Sequence, residues 1–174
     1  MSLKPCVFFD RDGIVNRSPG AGYVERIEDF HILPEFIDAL ELVSRQGYEA
    51  VIATNQRGVS LGRMTRETLD NIHSFLEDVL AGENLRLLDI MVCTADDDGD
   101  QRRKPNPGML LEAAGKHGLD LSKSWMIGDN ESDVIAGQRA GCTTIIVDNS
   151  CLQTSADHRV KDMSELVDFL KISL

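Results

Sequence analysis

The sequence predicts an α/β fold with a Rossmann-like, mostly parallel sheet flanked by helices. Three observations carry this. Short apolar runs rich in Val and Ile recur along the chain, and runs of this length read as strands buried on both faces. Stretches with helical periodicity separate them, and strand–helix alternation is the pattern of a parallel sheet. Several runs stop abruptly at acidic or polar residues, where ligands bind such sheets.

Each element follows in order. Cys6-Val7-Phe8-Phe9 is the first strand and stops at Asp10. The long connection from Arg11 to Pro34 shows no clear helix. Phe36, Ile37, Leu40 and Val43 share one helical face, and Gly47 suits the end of that helix. Ala50-Val51-Ile52-Ala53 is the second strand, stopping at Thr54-Asn55. Thr65-Arg66-Glu67-Thr68 opens a helix, with Leu69, Ile72, Phe75, Leu76, Val79 and Leu80 at helical spacing. Ile90-Met91-Val92-Cys93 is the third strand, and an acidic loop, Asp96-Asp97-Asp98-Gly99-Asp100, comes after it. Pro107-Gly108-Met109-Leu110-Leu111 starts a third helix. Trp125-Met126-Ile127 is the fourth strand, and a helix from Glu131 to Ala140 ends at Gly141. Thr143 to Val147 is the fifth strand. The tail carries one helix, Ser164 to Leu170, with Met163, Leu166, Val167 and Leu170 facing the sheet.

The chain of 174 residues reads as a single domain, 1–174, without repeat, linker or spare sequence for a large cap domain. Its 42% hydrophobic and 27% charged residues exclude a disordered or low-complexity class. A net charge of −11 argues against nucleic acid and anionic membranes as partners. Four cysteines without a CxxC pair fit free thiols in a reducing compartment. No run approaches the ~20 apolar residues of a membrane span, and Met1 to Pro5 lacks the apolar core of a signal peptide. A cytoplasmic monomer is expected.

Polar residues from four strand ends should converge on one sheet edge: Asp10 and Asp12, then Thr54, Asn55 and Gln56, then Arg102, Arg103 and Lys104, then Asp129 and Asp133. Acids brought together repel unless a cation joins them, and an all-oxygen set suits Mg²⁺ beside phosphate. Lys104 and Thr54 can bind phosphate oxygens. Asp10 is then a candidate nucleophile, with Asp12 as general acid and base. The chemistry is metal-assisted phosphoryl transfer.

These motifs resemble those of the haloacid dehalogenase (HAD) superfamily of phosphohydrolases. The residues that carry the resemblance are Asp10-Arg11-Asp12-Gly13, Thr54-Asn55-Gln56, Lys104-Pro105 and Gly128-Asp129-Asn130-Glu131-Ser132-Asp133. Gly22-Tyr23-Val24 and Arg103-Lys104-Pro105-Asn106-Pro107-Gly108 are similar to a cap-less branch that hydrolyses heptose bisphosphates and histidinol phosphate. The resemblance implies that Asp10 is nucleophile and Mg²⁺ ligand. It implies that Asp12 is acid, base and a metal ligand through its backbone carbonyl, and that Asp129 is a further ligand. Thr54 and Lys104 hold the phosphoryl group, while Asp133 and Asn130 support the ligands. Ser18, Gly22, Tyr23, Asn55, Gln56, Arg57 and Arg103 would contact the substrate, a small phosphorylated metabolite.

Two departures stand out. The branch usually carries a zinc loop rich in Cys and His before Arg103-Lys104-Pro105, but here that segment keeps only Cys93. A structural zinc takes four ligands, so no structural zinc is expected, and the Asp side chains of the loop should bond its own backbone. Asn130 stands where a lysine is common in the branch. His31, His73, His117 and His158 follow no ligand spacing and read as surface or half-buried groups, whereas Cys6, Cys142 and Trp125 read as core. A phosphoacceptor domain of the receiver type is the competing class, because it too gathers acids, a hydroxyl and a lysine at strand ends. The second acid, Asp12, argues against it.

Overall fold

Alternate residues of the first strand, β1 (Cys6–Phe9), supply both sides of the core. Val7 and Phe9 pack with the buried faces of α1 (Pro34–Arg45), α2 (Arg66–Gly82) and α5 (Met163–Ser173). Cys6 and Phe8 pack on the other side against α3 (Gly108–His117) and α4 (Glu131–Ala140). The period-2 side-chain alternation of a strand buried on both faces thus yields a three-layer sandwich. The computed structural model describes residues 2–174.

The sheet has six strands in the order β3-β2-β1-β4-β5-β6, where β2 is Glu49–Asn55, β3 Asp89–Cys93, β4 Trp125–Gly128, β5 Thr143–Val147 and β6 His158–Val160. All five pairings are parallel, so the sheet is fully rather than mostly parallel. Strand order reverses between β1 and β4, and that reversal opens a crevice at their carboxyl ends.

Helix boundaries follow local chemistry. Pro34 begins α1, where its missing N–H costs nothing. The Thr65 hydroxyl accepts from the Thr68 N–H at 3.0 Å and starts α2. Gly141, at φ +91°, ends α4 in the left-handed region.

The elements also differ in detail from the sequence reading. The second strand runs on through Thr54 and Asn55. The Arg11–Pro34 connection contains a 3-10 turn, Ile27–Asp29. The tail adds the edge strand β6 as well as a helix, and β6 reaches β5 without a helical crossover. Among the described residues, no helix is long and apolar enough to cross a membrane.

Candidate active site

The crevice holds a cavity of about 230 Å³. Asp10 enters it directly from β1, its N–H donating to Ile127 O of β4 at 2.9 Å. Asp129 follows β4 on the other side of the reversal. Gly13 sits opposite Asp129, and a Cβ at Gly13 would lie 2.0 Å from Asp129 Oδ2. Only glycine permits that approach, and its φ of +93° also requires it. Gly128 makes room in the same way for Asp133, whose Cβ would be 2.3 Å from an added methyl.

Lys104 ties these acids together. Its Nζ donates to Asp10 Oδ1 at 2.7 Å and to Ala53 O at 2.7 Å, and it pairs with Asp133 Oδ1 at 2.6 Å. An ammonium has three donors, and all three are used. Asp133 accepts from the Asn130 N–H through its other oxygen at 3.1 Å. Both Asp133 oxygens therefore already accept a hydrogen bond. Asn55 brackets the Lys104 backbone, donating to Lys104 O at 3.0 Å and accepting from Lys104 N at 3.1 Å.

Asp12 lies beside Asp10 in the cavity wall. Its Oδ1 accepts from Asn16 Nδ2 at 2.9 Å and from Arg11 Nη2 at 3.0 Å, and its Oδ2 accepts from Gln56 Nε2 at 3.0 Å. Gln56 also donates to Thr54 Oγ1 at 2.8 Å, so one amide joins the Thr54 hydroxyl to the Asp12 carboxylate.

Ser18, Gly22, Tyr23 and Asn55 line the cavity, as do Asn130, Asp133 and Asp129. Four expected residues do not. Gln56 and Thr54 are buried, with Thr54 one residue before the cavity-lining Asn55. Arg57 pairs with Asp96. Arg103 donates to Asp98 Oδ1 at 2.9 Å and to Ala95 O at 3.2 Å. The acidic loop is thus pinned by two arginines as well as by its own backbone, where Asp97 Oδ1 accepts from Gly99 N at 2.8 Å.

Sequence reasoning missed Arg11, Asn16 and His73. Arg11 and Asn16 are fully buried, and His73 is buried rather than half-exposed. His73 shares the inward stripe of α2 with Leu69, Ile72, Leu76 and Leu80, and that spacing was available as a signal.

The donor set fits a hard divalent cation. Asp10, Asp129 and Asp133 each offer a carboxylate oxygen, all within 4.8 Å of one another. Three acids face one lysine, so charge is in excess. Burial, then the neighbouring Asp133, pushes Asp10 above the usual carboxylate range despite Lys104. The same two causes push Asp129 up to about 6. Burial works against the charge of Lys104, but Asp10 and Asp133 outweigh it and raise its pKa. A bound cation relieves this imbalance, and oxygen ligands of this kind suit Mg²⁺.

The parallel sheet carries Asp10, Lys104 and Asp129 at its switch point. With the second acid Asp12, which sets it apart from a phosphoacceptor domain, it has the arrangement of a HAD-like phosphatase. A family profile described as HAD-hydrolase-like matches residues 101–166. The chain is 32% identical over 175 residues to a D-glycero-β-D-manno-heptose-1,7-bisphosphate 7-phosphatase of Helicobacter pylori, covering 98% of this chain and 100% of that one. It is 34% identical over 176 residues to the α-anomer phosphatase of Burkholderia mallei, covering 94% and 92%. The D,D-heptose 1,7-bisphosphate phosphatase of B. bronchiseptica, crystallised with magnesium and phosphate, superposes with a TM-score of 0.85 at 28% identity, covering 100% of both chains. The chain belongs to the HAD-like family of heptose bisphosphate phosphatases.

Proposed function

We propose that the chain is a Mg²⁺-dependent phosphomonoesterase that removes the 7-phosphate of D-glycero-D-manno-heptose 1,7-bisphosphate through an aspartyl-phosphate on Asp10. The observation that carries this is the Asp10–Lys104–Asp133 contact, with Asp12 and Asp129 opening into the same cavity. Asp10, Asp129 and the Asp12 backbone carbonyl would hold the cation, which adds positive charge beside the transferring oxygens.

The residues divide the work. An Asp10 oxygen attacks phosphorus while the bond to the sugar oxygen breaks, and Asp12 gives that oxygen a proton. Acylation neutralises Asp10, the phosphoryl group keeps its own charge, and the proton given up leaves the negative charge on Asp12, so Lys104 exchanges its Asp10 contact for a phosphoryl oxygen. Thr54 donates its hydroxyl to another. Asp12 next takes a proton from water as water attacks the acyl phosphate, which releases inorganic phosphate and restores Asp10. Asp133 keeps Lys104 charged and in place. Ser18, Gly22 and Tyr23 contact the sugar, and Arg57 and Arg103 stand beyond the cavity wall toward the acidic loop.

The relatives divide between α and β anomers in their names, so the test includes both. Phosphate release is measured from each heptose bisphosphate anomer, histidinol phosphate and simple sugar phosphates, with Mg²⁺, with chelator, and with Asp10→Asn. Selective, Mg²⁺-dependent release from a heptose bisphosphate, abolished in the variant, supports the proposal. Preference for histidinol phosphate would keep the mechanism and discard the substrate. A long-lived phosphoprotein with no turnover would favour the receiver class.

A further inference from the structure

Arg11 has no exposed surface at all. A buried guanidinium is costly unless acceptors and a counter-charge meet it. Here Nε and Nη2 donate to Asp12 Oδ1 at 3.3 and 3.0 Å, and Nη2 also reaches Asp12 Oδ2 at 3.2 Å. Nη1 lies 3.2 Å from His73 Nε2, and Cζ stands 5.5 Å from the centroid of the Phe30 ring.

Arginine only donates, so His73 Nε2 accepts and the ring proton sits on Nδ1. Burial, and next the Arg11 charge, lower the His73 pKa to about 4, so the imidazole stays neutral and able to accept near neutral pH. His73 is carried by α2, packed among the buried Leu69, Ile72 and Leu76. Arg11 therefore bridges a rigid helix to the Asp12 carboxylate. Neither Arg11 nor His73 lines the cavity, so neither touches substrate.

We propose that Arg11 is a positioning residue, anchored by His73 and Phe30, which aims the Asp12 carboxylate at the oxygen that gains and loses the proton. The inference rests on the phosphatase reading above. In the first step the Asp12 proton goes to the sugar oxygen as its bond to phosphorus breaks and the Asp10–phosphorus bond forms. In the second, Asp12 takes a proton from water as water's oxygen bonds to phosphorus and the Asp10 bond breaks. A misaimed Asp12 slows both steps with a sugar phosphate. A p-nitrophenyl ester has a leaving group that departs without a proton, so only the second step suffers.

The test compares Arg11→Lys, His73→Phe and Asp12→Asn with the unaltered protein in Mg²⁺. Substrates are heptose bisphosphate and p-nitrophenyl phosphate, with acid-quench trapping of the phosphoenzyme. Arg11→Lys should lower kcat for the sugar phosphate about 10- to 100-fold, below the full value of acid–base catalysis, with KM within about threefold. With p-nitrophenyl phosphate it should release one equivalent of nitrophenolate in a burst, then turn over slowly while phosphoenzyme accumulates. His73→Phe, which leaves Arg11 and Asp12 in place, should show the same pattern at about fivefold. It decides the matter if Arg11→Lys fails to fold. Unchanged kcat in the Arg11 or His73 variants, beside an inactive Asp12→Asn, would overturn the positioning role alone. So would equal loss on both esters with no trapped phosphoenzyme. Unaltered protein that hydrolyses no phosphate ester would remove the phosphatase reading and this inference with it.

Discussion

Lys104 Nζ and Asp133 Oδ1 stand 2.6 Å apart, each side chain only 2% exposed. The pair joins the start of α4 to the loop that enters α3, and the same ammonium holds Asp10. Removing one partner of a buried pair leaves an uncompensated charge. Lys104→Met therefore leaves Asp10, Asp129 and Asp133 facing one another without a cation. The metal-free variant should lose about 3 kcal/mol of stability. Mg²⁺ should raise its melting temperature by more than it raises that of the unaltered protein. Thermal unfolding with chelator and with Mg²⁺ checks this, and an equal gain in both proteins would refute it.

The same excess of acid sets a pH dependence. Burial and Asp133 raise Asp129 to about 6 and move Asp10 upward in the metal-free fold. A carboxyl whose pKa rises on folding contributes stability below its unfolded value, near 4, and loses it as pH climbs through the folded value. From pH 4 up to about 6 for Asp129 and about 7 for Asp10, these two groups therefore weaken the metal-free protein. Mg²⁺ binds the ionised forms, so protons compete with it at the low end. The gain in melting temperature on adding Mg²⁺ should be small at pH 5 and large at pH 7.5. A gain independent of pH would contradict it, and Asp129→Asn should flatten the curve.

The Rossmann-like parallel sheet and the polar residues at its carboxyl edge were legible because buried strands are unbroken apolar runs. Where such a run stops at Asp10, Thr54 or Asp129, the polar residue must lie at the strand's carboxyl end. β6 was not legible, since His158-Arg159-Val160 holds one buried residue on a sheet edge and gives no run to detect. Positions just past a strand end were equally silent about side. Gln56 turned inward to Asp12 and Thr54, whereas Arg57 turned outward to Asp96. Arg11 escaped notice because an arginine between two catalytic acids reads as a solvated charge, and its burial depends on Phe30 and His73, 19 and 62 residues further along.

Tyr23 reaches the cavity over a position that must stay small. A Cβ on Gly58 would lie 3.2 Å from the Tyr23 ring and 3.1 Å from Met64 Cε. The methyl end of Met64 can yield, whereas any shift of the Tyr23 ring is felt in the cavity that Tyr23 lines. Gly58→Ala should raise KM for the sugar phosphate about fivefold while kcat changes less than twofold, because the sugar contact moves and the acids do not. Steady-state kinetics at saturating Mg²⁺ decides it. A loss confined to kcat would place the effect on the chemistry instead.

Asn130 donates through Nδ2 to Asp129 Oδ1 at 2.6 Å and leads into α4, where Asp133 accepts its N–H. The side chain thus sets the angle of a carboxylate expected to ligate the cation. Partners that orient metal ligands are worth about 10- to 100-fold in metal affinity. Asn130 is exposed at the cavity rim, so its loss should sit at the low end of that range. Asn130→Ala should raise the Mg²⁺ concentration for half-maximal activity about tenfold. At saturating Mg²⁺, kcat should return to within about threefold, because Asp10, Asp12 and Lys104 are untouched. The Mg²⁺-dependent rise in melting temperature should shift to higher concentration in step, giving a readout independent of turnover. An unchanged Mg²⁺ requirement by both measures would show that Asp129 is held by its backbone and by the close approach of Gly13 alone.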